Sequence, residues 1–358
     1  MLLNDNYRKI VTQKFPLIDL RTPKEYKKGS FLNSINLYLM DDKEREKVGI
    51  EYKLKGEEAA KRLGYSLVSG KIKEERVKKW GEFLKNHPNA NIFCWRGGLR
   101  SKIVQEWIYD AFKIDVPRIK GGYKAFRNYL LLESANIASK KDFIILGGRT
   151  GSNKTILLRE FNNSLDLEKL ANHRGSAFGG NITPQPTQIN FENNLYYDLI
   201  NLDEQNINKI LIEDESQNIG KRHIPHFIFN NFKRAKIILL YLPFEKRVEN
   251  IFNEYVIKAQ LIYQDSDISW IDTIRANLLK IKKRLGLERF NKIKASIEAA
   301  WRHQLRFSDL SYHKEWIKLL LKWYYDPLYD FQIQKRDERV EFIGSFEEVR
   351  EYLKDRLK

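Results

Sequence analysis

Two short stretches of this 358-residue sequence carry residue types whose spacing suggests chemistry. The first reads Cys94-Trp95-Arg96-Gly97-Gly98-Leu99-Arg100-Ser101. It follows a short apolar run and precedes a stretch of helical periodicity. A thiol placed there meets amide N–H groups and the positive end of a helix dipole. Arg96 and Arg100 add positive charge, and both effects favour the thiolate, the nucleophilic form. Gly97 and Gly98 let the loop close without Cβ clashes. A lone cysteine is by default a small buried hydrophobe; this setting points to a nucleophile instead. With one cysteine in the chain, an intramolecular disulfide and a multi-cysteine zinc site are excluded.

The second stretch is Gly148-Arg149-Thr150-Gly151-Ser152-Asn153-Lys154-Thr155. It matches the phosphate-loop pattern of Gly, four residues, Gly, Lys and Ser or Thr, except that Asn153 stands at the second glycine. Asn tolerates positive φ better than most residues, so the loop can keep its shape. Backbone amides would cradle phosphate oxygens, Lys154 would reach a terminal phosphate, and Thr155 would meet a metal where one is present. An acidic run, Glu213-Asp214-Glu215, closes a later apolar stretch as a Walker-B-like element would. A capped strand end explains it as well. Residues 170–179 form a polar loop containing His173, Arg174 and Ser176. His223 and His226 have metal-like spacing, but two ligands do not make a site, and no metal site is expected.

The elements that must carry these loops read as two α/β units. In residues 1–135, strands are expected at 17–20, 34–39 and 91–95, with helical periodicity over 71–87 and 101–112. Strand, Gly-rich loop and helix in succession argue for an α/β domain. Residues 136–142 sit in a polar stretch poor in large apolar residues and read as a linker. The second domain, 143–358, opens on the strand 143–147, with further strands at 209–215 and 236–242. From about 244 the pattern is largely helical and includes a basic amphipathic stretch, 278–294. A strand at 339–344 and a last helix follow, with Ser345 as cap and Glu348 three residues on.

Hydrophobic residues at 42% and aromatics at 13% are enough for substantial cores and argue against a disordered chain. No apolar run approaches the roughly 20 residues that span a bilayer. The first residues lack the pattern of a signal peptide, so a cytoplasmic, non-membrane protein is expected. The net charge of +17 concentrates polyanions near the surface. A Lys-rich composition without any nucleic-acid role accounts for the charge equally well.

The cysteine loop resembles the active loop of rhodanese domains, and Asp19-Leu20-Arg21 with Glu25 resembles the element that braces it. The usual Gly-His is Gly29-Ser30 here. The loop is one residue longer than the common rhodanese form. Its Cys-x5-Arg spacing is also that of Cys-dependent phosphatases, with room for a tetrahedral anion. The ordered set CWRGGLRS, GRTGSNKT, LANHRGSAFG, IEDESQNIG and YYDPLYDFQ (324–332) resembles the tRNA 2-selenouridine synthase family over nearly the whole chain.

That resemblance implies a transferase acting on the wobble uridine of tRNA. The sulfur of 2-thiouridine is geranylated with geranyl diphosphate. Selenium from selenophosphate then replaces the S-geranyl group, giving 2-selenouridine. Cys94 would carry selenium or bind its donor, Arg96 and Arg100 would steady the anion, and Asp19 and Arg21 would brace the loop. The phosphate loop would hold a diphosphate without any need to hydrolyse ATP. No tightly bound cofactor is implied, a Mg²⁺ requirement stays open, and an enzyme that supplies selenophosphate is a candidate partner beside tRNA. The competing reading is a rhodanese-type sulfurtransferase fused to a P-loop kinase.

Overall fold

A computed structural model describes residues 2–358 of the chain. They fall into two compact units. The first comprises residues up to 138 together with Pro186–Asn206, and the second Ser139–Gln185 with Ile207–Lys358. Both are mixed α/β with parallel sheets.

The first unit is built on five strands, β1 (Leu3–Asn4), β2 (Leu17–Asp19), β3 (Ser34–Asn36), β4 (Asn91–Phe93) and β5 (Arg118–Ile119). Their order is β1-β5-β4-β2-β3, and every pairing is parallel. Strands buried on both faces read as continuous apolar runs, as Leu17, Ile18, Ile92 and Phe93 do here. Trp80 of the helix Gly70–Asn86 and Val104 and Ile108 of the helix Leu99–Phe112 pack against Ile18, Leu20 and Ile92. A 26-residue helical segment, Asp42–Leu67, breaks at Gly56, where φ is +80°.

The boundary between the two units falls between Ala138 and Ser139, inside the stretch 136–142 read as a linker, which is largely the end of a helix, Gly122–Lys140. Its lack of large apolar residues reflects close packing: Ser134 and Ala138 are wholly buried. The helix Gln188–Glu204, inside the range read as the second domain, clusters with the first unit. Asn193 donates to the Ser30 carbonyl and Asn190 accepts from the Ser30 N–H, both at 2.7 Å. Arg127 bonds Asn193 and Glu192 of the same helix.

The second unit carries β6 (Asp142–Gly147), β7 (Ser164–Leu165), β8 (Lys209–Glu213), a small hairpin of β9 (Asn218–Ile219) and β10 (Arg222–His223), β11 (Lys236–Leu240) and β12 (Val340–Gly344). The main sheet is parallel, in the order β12-β11-β6-β8-β7. One core, with Leu146, Leu211, Ile238 and Leu353, lies on this sheet; a second fills the helical part, with Val256, Trp270, Ile293 and Trp316. The basic stretch 278–294 is not one helix. Gly286, at φ +78°, separates the helix Trp270–Leu285 from Leu287–Phe307. Two π-helical turns, Asn253–Ile257 and Leu321–Tyr325, interrupt the helical part. No helix among the described residues is long and apolar enough to cross a membrane.

Candidate functional site

In parallel sheets, ligands gather at the carboxyl ends of the strands. Both sequence motifs sit at such ends. Cys94 directly follows β4, whose Phe93 pairs with Asp19 of β2. Asp19 and Arg21 therefore stand beside the thiol loop, 0% and 1% exposed. The Arg21 guanidinium takes both Asp19 oxygens, the closer at 2.6 Å, donates to the Gly29 carbonyl at 2.7 Å, and lies 3.7 Å from the Tyr123 ring centroid. Burial pushes the Asp19 carboxyl up, and Arg21 only partly offsets it. A buried pair with this many bonds holds its position, whatever its net contribution to stability.

Cys94 is 3% exposed, and its Sγ lies 3.4 Å from Ser101 Oγ, which donates to the Gly98 carbonyl. The loop is clasped by the first turn of the helix Gly122–Lys140. Tyr123 N–H bonds the Cys94 carbonyl at 2.9 Å, and Lys124 N–H bonds Trp95 at 3.0 Å. Gly97 has φ +64° and Gly122 φ +60°. A Cβ on Gly122 would stand 2.3 Å from the Cys94 oxygen, so the close approach excludes any side chain there. Arg118, which the sequence reading passed over, donates to the Gly97 carbonyl at 3.0 Å. Arg100 is tied to Glu25 at 3.0 Å. Burial works against the Glu25 carboxylate, but Arg100 outweighs it and holds its pKa below the usual range. Arg96 is exposed on the loop.

The loop 148–155 leaves β6 and enters the helix Lys154–Leu158. Asn153 adopts φ +66°, Gly151 +85° and Gly148 +159°. Such a curl lets successive amide N–H groups converge on an anion. Two side chains hold the curl from outside. Arg247 bonds the Thr150 carbonyl at 3.2 Å, and Asn250 bonds that of Gly151 at 2.8 Å. Arg247 is itself fixed by Asp326 through two bonds of 2.8 and 2.7 Å, and Arg149 by Asp330 through a second such pair. Asp326 and Asp330 belong to the stretch 324–332, whose part the sequence left unassigned.

Acids surround Lys154. Burial works against its ammonium, but the carboxylates of Glu168, Glu215, Glu213 and Asp214 outweigh it and hold its pKa above the ordinary lysine value. Burial likewise raises Glu168 and Glu213, and pushes Glu215 to about 8. With Glu215 pushed that high, the cluster carries less negative charge at neutral pH than its composition implies. The Thr155 hydroxyl bonds Glu168 at 3.2 Å, and Asp214 is held by Arg336 through bonds of 2.8 and 3.0 Å. Glu168 and Arg336 were not foreseen. Ser152 Oγ, Glu213 Oε1 and Arg247 Nε are buried without a hydrogen-bond partner among the described residues. Unpartnered buried polar atoms are uncommon in folded proteins.

The 172–180 loop closes on itself through an Arg174 N–H to Gly179 carbonyl bond of 2.8 Å. Gly175, at φ +62°, abuts the Glu215 carboxylate, while Phe178 is buried against Trp316. Arg174 bonds Glu254 at 2.6 Å. Burial and the charge of Lys280 hold His173 below the ordinary histidine pKa. His223 and His226 share the Gln217 amide at 3.1 and 3.2 Å. Among the described residues, no group of three or more His, Cys, Asp or Glu is placed to hold a metal ion.

A family model described as tRNA 2-selenouridine synthase AAA domain matches residues 141–358. A curated relative from Sulfurovum sp., named tRNA 2-selenouridine synthase, is 44% identical and covers 98% of this chain and 98% of its own. Relatives of the same name from Hydrogenovibrio crunogenus and Shewanella frigidimarina are 43% and 42% identical. Each covers 98% of this chain, with 98% and 97% of their own.

Proposed function

The chain belongs to the tRNA 2-selenouridine synthase family and is a tRNA-modifying enzyme, and from that premise we propose that its two strand-end loops serve two successive reactions at the wobble 2-thiouridine. In the first, the loop 148–155 holds the diphosphate of geranyl diphosphate. The thiouridine sulfur attacks the allylic carbon, and the diphosphate leaves. Lys154 and the converging amides stabilise the departing charge, an interaction that grows as the bond breaks. In the second, the selenium of selenophosphate attacks C2 of the S-geranyl nucleoside, geranyl thiolate leaves, and water cleaves the Se–P bond to release phosphate and 2-selenouridine. Alkylation makes sulfur a better leaving group than a thiocarbonyl, which accounts for the order of steps. Cys94 binds the selenium donor, and exposed Arg96 supplies cationic charge at the loop. Arg100 acts through Glu25 and helps to brace the site.

We read the first unit as a rhodanese-like domain, supported by its parallel sheet and strand-end thiol, and the second as a P-loop domain with a helical C-terminal part. The observation that carries diphosphate binding over ATP turnover is the state of the acid after β8. Asp214, where a metal-holding acid would act in a kinase, is occupied by both arms of Arg336. The deciding experiment is mass spectrometry of tRNA nucleosides after incubation with geranyl diphosphate and selenophosphate, run beside an ATPase assay. S-geranyl-2-thiouridine followed by 2-selenouridine, without ATP consumption, is the expected result. ATP turnover with sulfur transfer would establish the sulfurtransferase–kinase reading instead.

A further inference from the structure

Beside the loop 148–155, inside the second unit, lies a cleft whose walls are almost wholly apolar. Thr150 stands at one side; Phe178, Tyr255, Trp316, Leu320 and Tyr325 form much of the rest. It is narrow, with a cavity volume of about 20 Å³. We propose that this cleft receives the hydrocarbon chain of the prenyl diphosphate, with the diphosphate on the adjoining loop; this rests on the reading of that loop as a diphosphate site.

Three independent features support it. The first is continuity: Thr150 belongs both to the loop and to the cleft wall, so a ligand with an anionic head and an apolar tail spans them without a gap. The second is backbone form. Both π-helical turns among the described residues face this one cleft, through Tyr255 in Asn253–Ile257 and through Leu321 and Tyr325 in Leu321–Tyr325. A π turn adds a residue to a helix and displaces its side chains, and such turns concentrate at functional sites. The third is the 172–180 loop. Its Gly175 abuts Glu215 on the charged side, and its Phe178 enters the apolar side. One segment thus couples the two halves of the site.

The walls also select the class of tail. A nucleoside carries several donors and acceptors, and beyond the hydroxyls of Thr150, Ser176, Tyr255 and Tyr325 the lining offers no partner for them. A slender unsaturated chain needs none. The narrowness of the cleft requires side chains to part as the chain enters, which favours a thin ligand over a planar ring system.

The test is calorimetric titration of the full-length chain with pyrophosphate, dimethylallyl diphosphate, geranyl diphosphate and farnesyl diphosphate. Burial of one methylene is equivalent to about a four-fold gain in affinity. Geranyl diphosphate should therefore bind at least ~100-fold more tightly than pyrophosphate, with the dimethylallyl compound between. Leu320→Trp, which fills the cleft, should cancel most of that gain and leave pyrophosphate affinity within about two-fold; the unchanged pyrophosphate binding also reports a folded loop. Ile317 also lines the cleft, and Ile317→Ala, which deepens it, should improve farnesyl diphosphate relative to geranyl diphosphate. Equal affinities for pyrophosphate and geranyl diphosphate in the unaltered chain would overturn the cleft and leave the loop reading intact. Binding of neither would overturn the loop reading and the cleft with it. Tight geranyl diphosphate binding that survives a folded Leu320→Trp would place the chain elsewhere. Should that variant not fold, the chain-length series on the unaltered protein decides.

Discussion

Cys94 and Lys154 lie in different units, and so their losses should be separable. In the proposed scheme, geranyl transfer needs a held diphosphate and a nucleophilic thiouridine sulfur, neither of which is a protein thiolate. Cys94→Ser should therefore accumulate S-geranyl-2-thiouridine and make little or no 2-selenouridine, because a serine hydroxyl is a far weaker nucleophile than a thiolate. The reading fails if nucleoside analysis finds selenation at an unaltered rate. A second residue ties stability to pH. His313 is fully buried, accepts from Trp316 Nε1 at Nδ1 (2.9 Å), and lies 2.8 Å from Gln304 through Nε2. That arrangement suits the neutral ring, and burial drops its pKa from 6.5 to about 4. The unfolded chain binds the proton first, so this contribution is complete above pH ~6.5 and is lost as pH falls toward ~4. The loss amounts to about 3 kcal/mol at most. Thermal melts between pH 7 and 4 should show a falling Tm, and His313→Gln should flatten that fall.

At the scale of elements, the two loops depend on backbone shape as much as on side chains. Gly122→Ala should displace the Cys94 carbonyl and abolish selenation while geranyl transfer persists, since the clash is confined to the thiol loop. Assaying the two products separately checks it. Asn153→Gly should be tolerated, whereas Asn153→Val, with a β-branched residue at φ +66°, should cost about 1–2 kcal/mol of stability by chemical denaturation. Much of this was legible in the sequence. The strands before both loops announced themselves as short apolar runs, and Asn153 was identified as a residue able to take positive φ. Less legible were elements whose meaning depends on a distant partner. Gln188–Glu204 has helical apolar spacing at Phe191, Leu195, Tyr196, Leu199 and Ile200, yet nothing local says that its core partner lies far upstream. Ser134 and Ala138 looked like linker composition because close packing selects small side chains. Arg336 and Asp330 could not be placed, as charged pairs separated by more than a hundred residues leave no local pattern.

For the whole molecule, the charge of +17 needs an address. Lys280, Lys282, Lys283, Arg284, Arg289 and Lys292 are exposed around the Gly286 break, on the end of one helix and the start of the next. Lys280 bonds Asn277 and Lys292 pairs with Glu288, so Lys282, Lys283, Arg284 and Arg289 are the better phosphate contacts. Replacing these four by Gln should lower the slope of log affinity for tRNA against log salt by up to ~3. An unchanged slope in filter-binding measurements would take this helical pair out of the interface. Finally, the chain holds one sulfhydryl, nearly closed to solvent where β4 ends. Consumption of a disulfide reagent by the native protein is then a single-site clock. Its rate reads how often that strand end breathes open, and its retardation by a tetrahedral oxyanion would measure occupancy of the same spot without label or variant.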